Sequence, residues 1–151
     1  MTIPVMARAR SDLSTAEKGA KLDAVVLGCP HFSYAEFRQL AQVIQSERHH
    51  LSRPVVRLIV VTNQVAYALL QRSVFVNTIA DFGVEIVLDT CVMNSPIISS
   101  DAKVMMTNSG KWAYYAPGEL GVRVAFGGLC DCIRSATQGF VQRGETSWKK
   151  P

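Results

Sequence analysis

The sequence predicts an α/β domain in three layers, with helices on both faces of a mainly parallel sheet of about five strands. Two observations carry this expectation. Short runs rich in Val and Ile recur at 22–28, 55–62, 84–89, 103–107 and 122–126, apolar nearly throughout, as strands buried on both faces are. Helical patterns alternate with them, so consecutive strands are joined by the crossovers that a parallel sheet needs.

The first helix is predicted over 34–46, where Phe37, Leu40, Ala41 and Ile44 fall on one face. Its start is marked twice. Ser33 and Glu36 have the spacing of a capping box, and Phe32, just before the cap, is placed to staple the first turn. Further helices are predicted over 64–71, over 74–82 closed by Gly83, and over 131–140 ending at Gly139. The polar connection that carries His49 and His50 is expected to be solvated, and the tail 143–151 to be loosely ordered, with Trp148 free to dock. With no internal repeat and no low-complexity linker, residues 1–151 read as a single domain.

A chain of 151 residues is long enough to bury a core without disulfide staples. Its 48% hydrophobic and 19% charged residues, with mean hydropathy +0.15, exclude disorder and point to deeply buried elements or a surface meant for a partner. The net charge of +4 comes from scattered Lys and Arg, densest near the ends (Arg8, Arg10, Lys149, Lys150), with no nucleic-acid-binding motif. A small anionic substrate accounts for the excess equally well, and no nucleic acid is expected. The opening MTIPVMARARSDLS lacks the apolar core of a secretory signal, and no run reaches the roughly 18 apolar residues of a membrane span. A cytoplasmic protein without a membrane partner is expected, in which four cysteines are core fillers, ligands or catalytic thiols rather than disulfides.

In open α/β sheets, ligands bind beyond the carboxyl ends of the strands, where helix N-termini and loop amides converge. At that edge the first strand is followed by Cys29 and His31, the second by Thr62 and Asn63, and the third by Asp89, Thr90 and Cys91. The fourth leads into Thr107, Asn108, Ser109 and Lys111, and the fifth into Gly127, Gly128, Cys130 and Cys132. Several of these have a plainer use. Thr62 with Asn63, and Thr107 with Asn108 and Ser109, are residue types that turns and helix caps employ. His31 can ligate a metal, carry protons or orient its loop, while Lys111 can anchor an anion or stand solvated in the first turn of a helix. A single cysteine is most often a small buried hydrophobe, but cysteine has no capping role, and three strand ends carry one. Three thiolates from separate loops suit an iron-sulfur cluster with one iron open, or a mononuclear iron or zinc with a vacant position. Spacing adds little, since there is no C-x2-C pair, and the C-x-C of Cys130 and Cys132 sets the two on different sides of a helix.

The segments GCPHFSYAEF, TNSGKWAYYAPG and FGGLCDCIRSATQG, with a strand ending in DTC between the first two, resemble the C-terminal part of the aconitase X large subunit. The resemblance keeps order and spacing from about 13 to 139. It implies a hydro-lyase, of the kind that includes cis-3-hydroxy-L-proline dehydratase and phosphomevalonate dehydratase. Its implied cofactor is an iron-sulfur cluster (2Fe-2S or 4Fe-4S) or a mononuclear iron held by three cysteines, which in this chain are Cys29, Cys91 and Cys132. His31, Ser109 and Lys111 become the candidate catalytic residues, and Thr62, Thr107 and Asn108 the candidate substrate contacts. The chain departs from the family pattern at Gly110, Trp112 and Gly128; Ser is usual near the last, and its absence removes a hydrogen bond to substrate. The family's large subunit is far longer than this chain and works with a small swivelling domain. The implied partners are therefore the remainder of a large subunit and that small subunit, which makes this chain a truncated product, a split subunit or an excised domain.

The expected function is that of a dehydratase domain, incomplete on its own, that helps eliminate water from a small anionic hydroxy acid. Two other readings stay open. One is a non-catalytic remnant or interaction module with buried structural cysteines. The other is a stand-alone hydrolase with Cys29 as nucleophile and His31 as base.

Overall fold

A computed structural model describes residues 3–47 and 52–144; His49, His50, Trp148 and the tail beyond 144 lie outside the described residues. Five strands, β1 (Ala24–Leu27), β2 (Arg57–Thr62), β3 (Glu85–Leu88), β4 (Val104–Thr107) and β5 (Arg123–Phe126), form one sheet in the order β3-β2-β1-β4-β5. Every neighbouring pair is parallel. The predicted class and sheet are therefore observed, each strand trimmed by up to two residues at either end of its apolar run.

The helices are α1 (Ile3–Asp12), α2 (Tyr34–Ser46), α3 (Gln64–Gln71), α4 (Val76–Phe82), α5 (Gly110–Leu120) and α6 (Leu129–Gln138). Helix α2 starts as its sequence predicts: the Ser33 hydroxyl accepts the Glu36 N–H, and the Glu36 carboxylate accepts the Ser33 N–H at 2.8 Å. The staple is present too, with the Phe32 and Phe37 rings edge to face at 5.1 Å and both side chains fully buried. Asn63 caps α3 by accepting the Ala66 N–H at 2.8 Å. Helix α4 begins two residues later than expected, because Ser73 folds back to accept the Phe75 N–H at 3.2 Å. Helix α6 begins two residues earlier, since Asp131 in its first turn accepts the Gly128 N–H at 3.4 Å; its end at Gly139, in the left-handed region, stands as expected. Helices α1 and α5 are additions. The α5 segment carries Pro117 and two glycines, which dilute the helical signal in its sequence.

The sheet separates two core layers. On one face Val25, Leu27, Leu58, Val60 and Met106 meet Phe37, Leu40 and Ile44 of α2, Ile79 and Phe82 of α4, and Cys132, Ile133 and Ala136 of α6. On the other, Val26, Ile59, Val61, Met105 and Val124 meet Trp112, Ala113 and Ala116 of α5, together with Val92 and the half-buried Ile97 and Ile98 of the β3–β4 connection. The crossovers after β1 and β2 thus lie on one face and the crossover after β4 on the other. The strand order places the switch between β1 and β4, where doubly wound sheets open a crevice for ligands.

The outer edge of β5 is covered by chain that precedes the sheet. Thr15 and Ala16 donate their N–H groups to the Val124 carbonyl at 2.8 and 2.9 Å, and Ser14 Oγ accepts the Phe126 N–H at 3.1 Å. This draws Arg10 into the interior, where its Nη2 stands 2.9 Å from Asp131 Oδ2, with side chains only 10% and 6% exposed. Gly144 completes the knot, giving its carbonyl to Arg10 Nη1 at 2.8 Å and its N–H to Asp131 Oδ1 at 3.1 Å. A buried pair broken on one side leaves an uncompensated charge. Asp131→Ala is therefore expected to lower unfolding free energy by about 3–5 kcal/mol, whereas the apolar double replacement Arg10→Met with Asp131→Leu recovers much of it. Urea unfolding of the three proteins checks this.

Candidate functional site

The site is built from the carboxyl ends of β1, β3 and β4. After β1 the chain turns at Gly28, whose φ of +82° and lack of a side chain are both required: a Cβ there would stand 2.5 Å from the Val61 carbonyl oxygen. The turn lets Phe32 donate its N–H to that carbonyl at 2.7 Å, and Thr62 donates its hydroxyl to the Phe32 carbonyl at 2.6 Å. The intervening loop then presents Cys29, Pro30 and His31 above β2. After β4, Thr107 Oγ1 accepts the Ser109 N–H at 3.0 Å, and Ser109 caps α5 by accepting the Trp112 N–H at 3.2 Å. The same Ser109 hydroxyl donates to the Cys29 carbonyl at 2.7 Å, tying the two loops together across the switch point. Lys111 follows in the first turn of α5.

After β3, Asp89 adopts φ +49°, a left-handed conformation rare outside glycine but tolerated by Asp. Its carboxylate accepts the Gln64 N–H at 3.3 Å at the start of α3, and its own N–H donates to the Thr62 carbonyl at 2.9 Å. The resulting bend carries Thr90 through Met93 back towards β1. Between these segments lies a cleft of about 310 Å³, lined by Cys29, Pro30, His31, Val61, Asp89, Thr90, Cys91, Val92, Met93 and Lys111. A second cleft, of about 280 Å³, sits between α2 and α4 and holds none of the predicted site residues.

Of the predicted residues, the fold brings Cys29, Cys91, His31 and Lys111 to one cleft. Thr62 and Thr107 are fully buried beneath it, with their hydroxyls engaged in the loop framework. Ser109 is the α5 cap, and Asn108 is half-buried beside it. Cys132 lies elsewhere, fully buried in the core layer on the opposite face of the sheet, with its Sγ 3.9 Å from the Gly127 carbonyl. Among the described residues, no three His, Cys, Asp or Glu side chains are gathered as one metal ion would need. Two thiols lining one cleft are the donor type that a soft-metal centre takes, and Lys111 adds positive charge to the same space. Asp89 and Met93 line the cleft without being among the predicted site residues. The DT pair at the strand end is the signal that points to Asp89, since Asp is one of the few side chains that accept such a turn.

Burial raises the Cys29 thiol pKa, the neighbouring Cys91 raises it further, and Lys111 opposes both. That is the reverse of an activated nucleophile, so the Cys29 and His31 hydrolase reading gains no support from the site's electrostatics. The Cys132 thiol is also pushed up, first by burial and then by Asp131, with Arg10 opposing. Because burial disfavours the thiolate, alkylation of Cys29 is expected to keep accelerating with pH beyond the range where an ordinary thiol, with pKa about 8.5, levels off. Cys132 is expected to react only after unfolding. Peptide mapping of alkylated protein across a pH series reads both.

Among proteins of known activity, the chain is 37% identical over 130 residues to cis-3-hydroxy-L-proline dehydratase of Pseudomonas aeruginosa, covering 85% of this chain and 22% of that one. It is 30% identical over 135 residues to the phosphomevalonate dehydratase large subunit of Methanosarcina mazei, covering 89% of this chain and 32% of the relative. The chain thus spans about a fifth to a third of the length of these relatives. The crystal structure of Thermococcus kodakaraensis aconitase X in its holo-form has the same fold, with a TM-score of 0.73 at 23% identity, over 85% of this chain and 32% of that one. Residues 22–138 match the aconitase X third domain, and the chain belongs to the aconitase X family.

Proposed function

We propose that this chain supplies part of the active site of a dehydratase that removes water from a small anionic hydroxy acid, such as cis-3-hydroxy-L-proline or 5-phosphomevalonate. The observation that carries the reading is the cleft: in a chain of this family, Cys29, Cys91, His31 and Lys111 face one space at the carboxyl edge of the sheet, beside the switch point. Cys29 and Cys91 would hold an iron-sulfur cluster (2Fe-2S or 4Fe-4S) or a mononuclear iron. Such a group, when bound, supplies a Lewis acid that draws electron density from the departing hydroxyl. Cys132 is the third expected ligand, and to serve it has to leave the core and lose its proton, at the start of a helix that begins on this same edge.

The remaining roles follow from position. Lys111, in the first turn of α5, holds the substrate's carboxylate or phosphate with help from the positive end of the helix, and Asn108 donates beside it. His31, exposed at the mouth, carries a proton to or from the leaving water. Ser109 orients the Cys29 peptide through its carbonyl, and Thr62 and Thr107 act on substrate by holding the loops in register. The base that takes the proton next to the carboxylate comes from outside this domain. Because the chain spans only part of its relatives, the remainder of a large subunit and a small swivelling subunit would complete the site, and the chain alone is expected to be inactive. No helix among the described residues is long and apolar enough to cross a membrane, and the cytoplasm is the compartment proposed.

Anaerobic purification followed by reconstitution with iron and sulfide tests the ligands. The chain is expected to take up iron and absorb in the visible, and Cys91→Ser to lose most of both; protein that stays colourless and iron-free would favour the non-catalytic module. For Lys111, replacement by Met in the assembled enzyme is expected to raise KM by roughly 10- to 100-fold, the worth of a hydrogen bond to a charged group, with iron content unchanged. Steady-state kinetics beside iron analysis reads the two effects apart.

A further inference from the structure

The two cysteines of the cleft stand on loops that share one anchor. Strand β2 lies between β1 and β3, so the loops that carry Cys29 and Cys91 leave strands about 10 Å apart. Both loops are then fastened to the end of β2. Phe32 donates its N–H to the Val61 carbonyl at 2.7 Å, and Asp89 donates its N–H to the Thr62 carbonyl at 2.9 Å. Cys29 lies three residues before the first of these ties and Cys91 two residues after the second, and Val61 joins both in the lining of the cleft.

Both thiols are half-buried, within reach of small solutes, and Cys91 is close enough to Cys29 to raise its pKa. The other two cysteines do not line this cleft. Cys132 is sealed in the core layer on the opposite face of the sheet, and Cys130 is exposed at the start of α6, near Glu47 and Arg134. A disulfide sets Cα atoms about 5.5–6 Å apart, a smaller gap than that between the two strands. The connection that carries Cys91 runs over 89–103 without helix or strand, so it is the segment able to close the difference.

We propose that Cys29 and Cys91 form a reversible disulfide across the cleft, and that this bond is a redox gate on metal loading. The oxidant is a small-molecule disulfide of the glutathione class. One cysteine thiolate attacks it, forming a mixed disulfide and releasing one small thiol; the second cysteine attacks the protein sulfur of that mixed disulfide and releases the other. The two cysteine sulfurs are oxidised, the two sulfurs of the reagent are reduced, and the cysteine protons end on the released thiols. Once the sulfurs are bonded to each other, neither is left as a thiolate to hold a metal. The bond rests on the geometry of the cleft alone, whereas its effect on metal loading rests on the dehydratase reading.

The test exposes the reduced, metal-free full chain to oxidised glutathione in the absence of oxygen, blocks the remaining thiols with iodoacetamide and maps the peptides without reduction. Peptides joining Cys29 to Cys91 are expected as the main product, with Cys130 carrying a glutathione adduct and Cys132 untouched. In Cys91→Ser, Cys29 is expected to stop at the adduct. Separate stable adducts on Cys29 and Cys91, a link from either to Cys130, or links only between chains overturn the disulfide. Cobalt(II) added without reductant then reads the gate: the reduced chain is expected to develop thiolate-to-metal absorption, the oxidised chain to lack it, and dithiothreitol treatment followed by its removal to restore it. Equal absorption from the oxidised and reduced chains overturns the gate. If the linked peptide forms but the reduced chain binds no metal, the gate fails with the dehydratase reading and the disulfide stands. If the reduced chain binds metal but no linked peptide forms, the inference fails and the dehydratase reading stands.

Discussion

The turn at Gly28 is the tightest backbone passage in the site, and the cleft is organised around it. The chain leaves β1 so close to the Val61 carbonyl that no side chain fits, and this proximity lets Phe32 bond that same carbonyl. Because Phe32 is also the staple of α2, one close approach sets both the direction of the following helix and the height of Cys29 and His31 above the sheet. Ser109 then transmits the position of the Cys29 peptide to the start of α5, so that Lys111 is referenced to the same turn. The loops after β1 and β4 thus acquire a common frame through two hydrogen bonds and one absent methyl group.

A second constraint works at the far side of the sheet. The segment before β1 covers the edge of β5, and the buried Arg10 and Asp131 pair fastens that segment to α6 and to Gly144. Held this way, α6 presses its apolar stripe into the core layer opposite the cleft, and Cys132 goes with it. The placement of this one thiol follows from core packing. Burial there also favours its neutral form, by disfavouring the thiolate.

The cleft brings one cationic and one anionic side chain, Lys111 and Asp89, to the same space as two thiols. Lys111 supplies positive charge, while burial and the neighbouring Cys91 favour the neutral form of the Cys29 thiol. A cation that binds such a sulfur displaces its proton to solvent, so a raised pKa would be compatible with a ligand role where it is not with a nucleophile role.

Much of the fold was legible because the relevant signals are local. Five Val- and Ile-rich runs specify buried strands, Ser33, Glu36 and Phe32 specify where α2 begins, and Gly83 and Gly139 specify where α4 and α6 stop. The gathering of Cys29, His31, Cys91 and Lys111 at one edge was legible as well, since every parallel strand delivers its following loop to the same side. What the sequence could not determine is which face of the sheet each helix covers, because that depends on strand order, and strand order is a long-range property. Only the tertiary structure decided that α5 lies on the cleft's face and α6 on the other, that Asp89 turns through a left-handed conformation, and that a distant Arg10 reaches Asp131. Periodicity reports what a residue does relative to its neighbours in the chain; it is silent on the partners that a crossover brings from elsewhere.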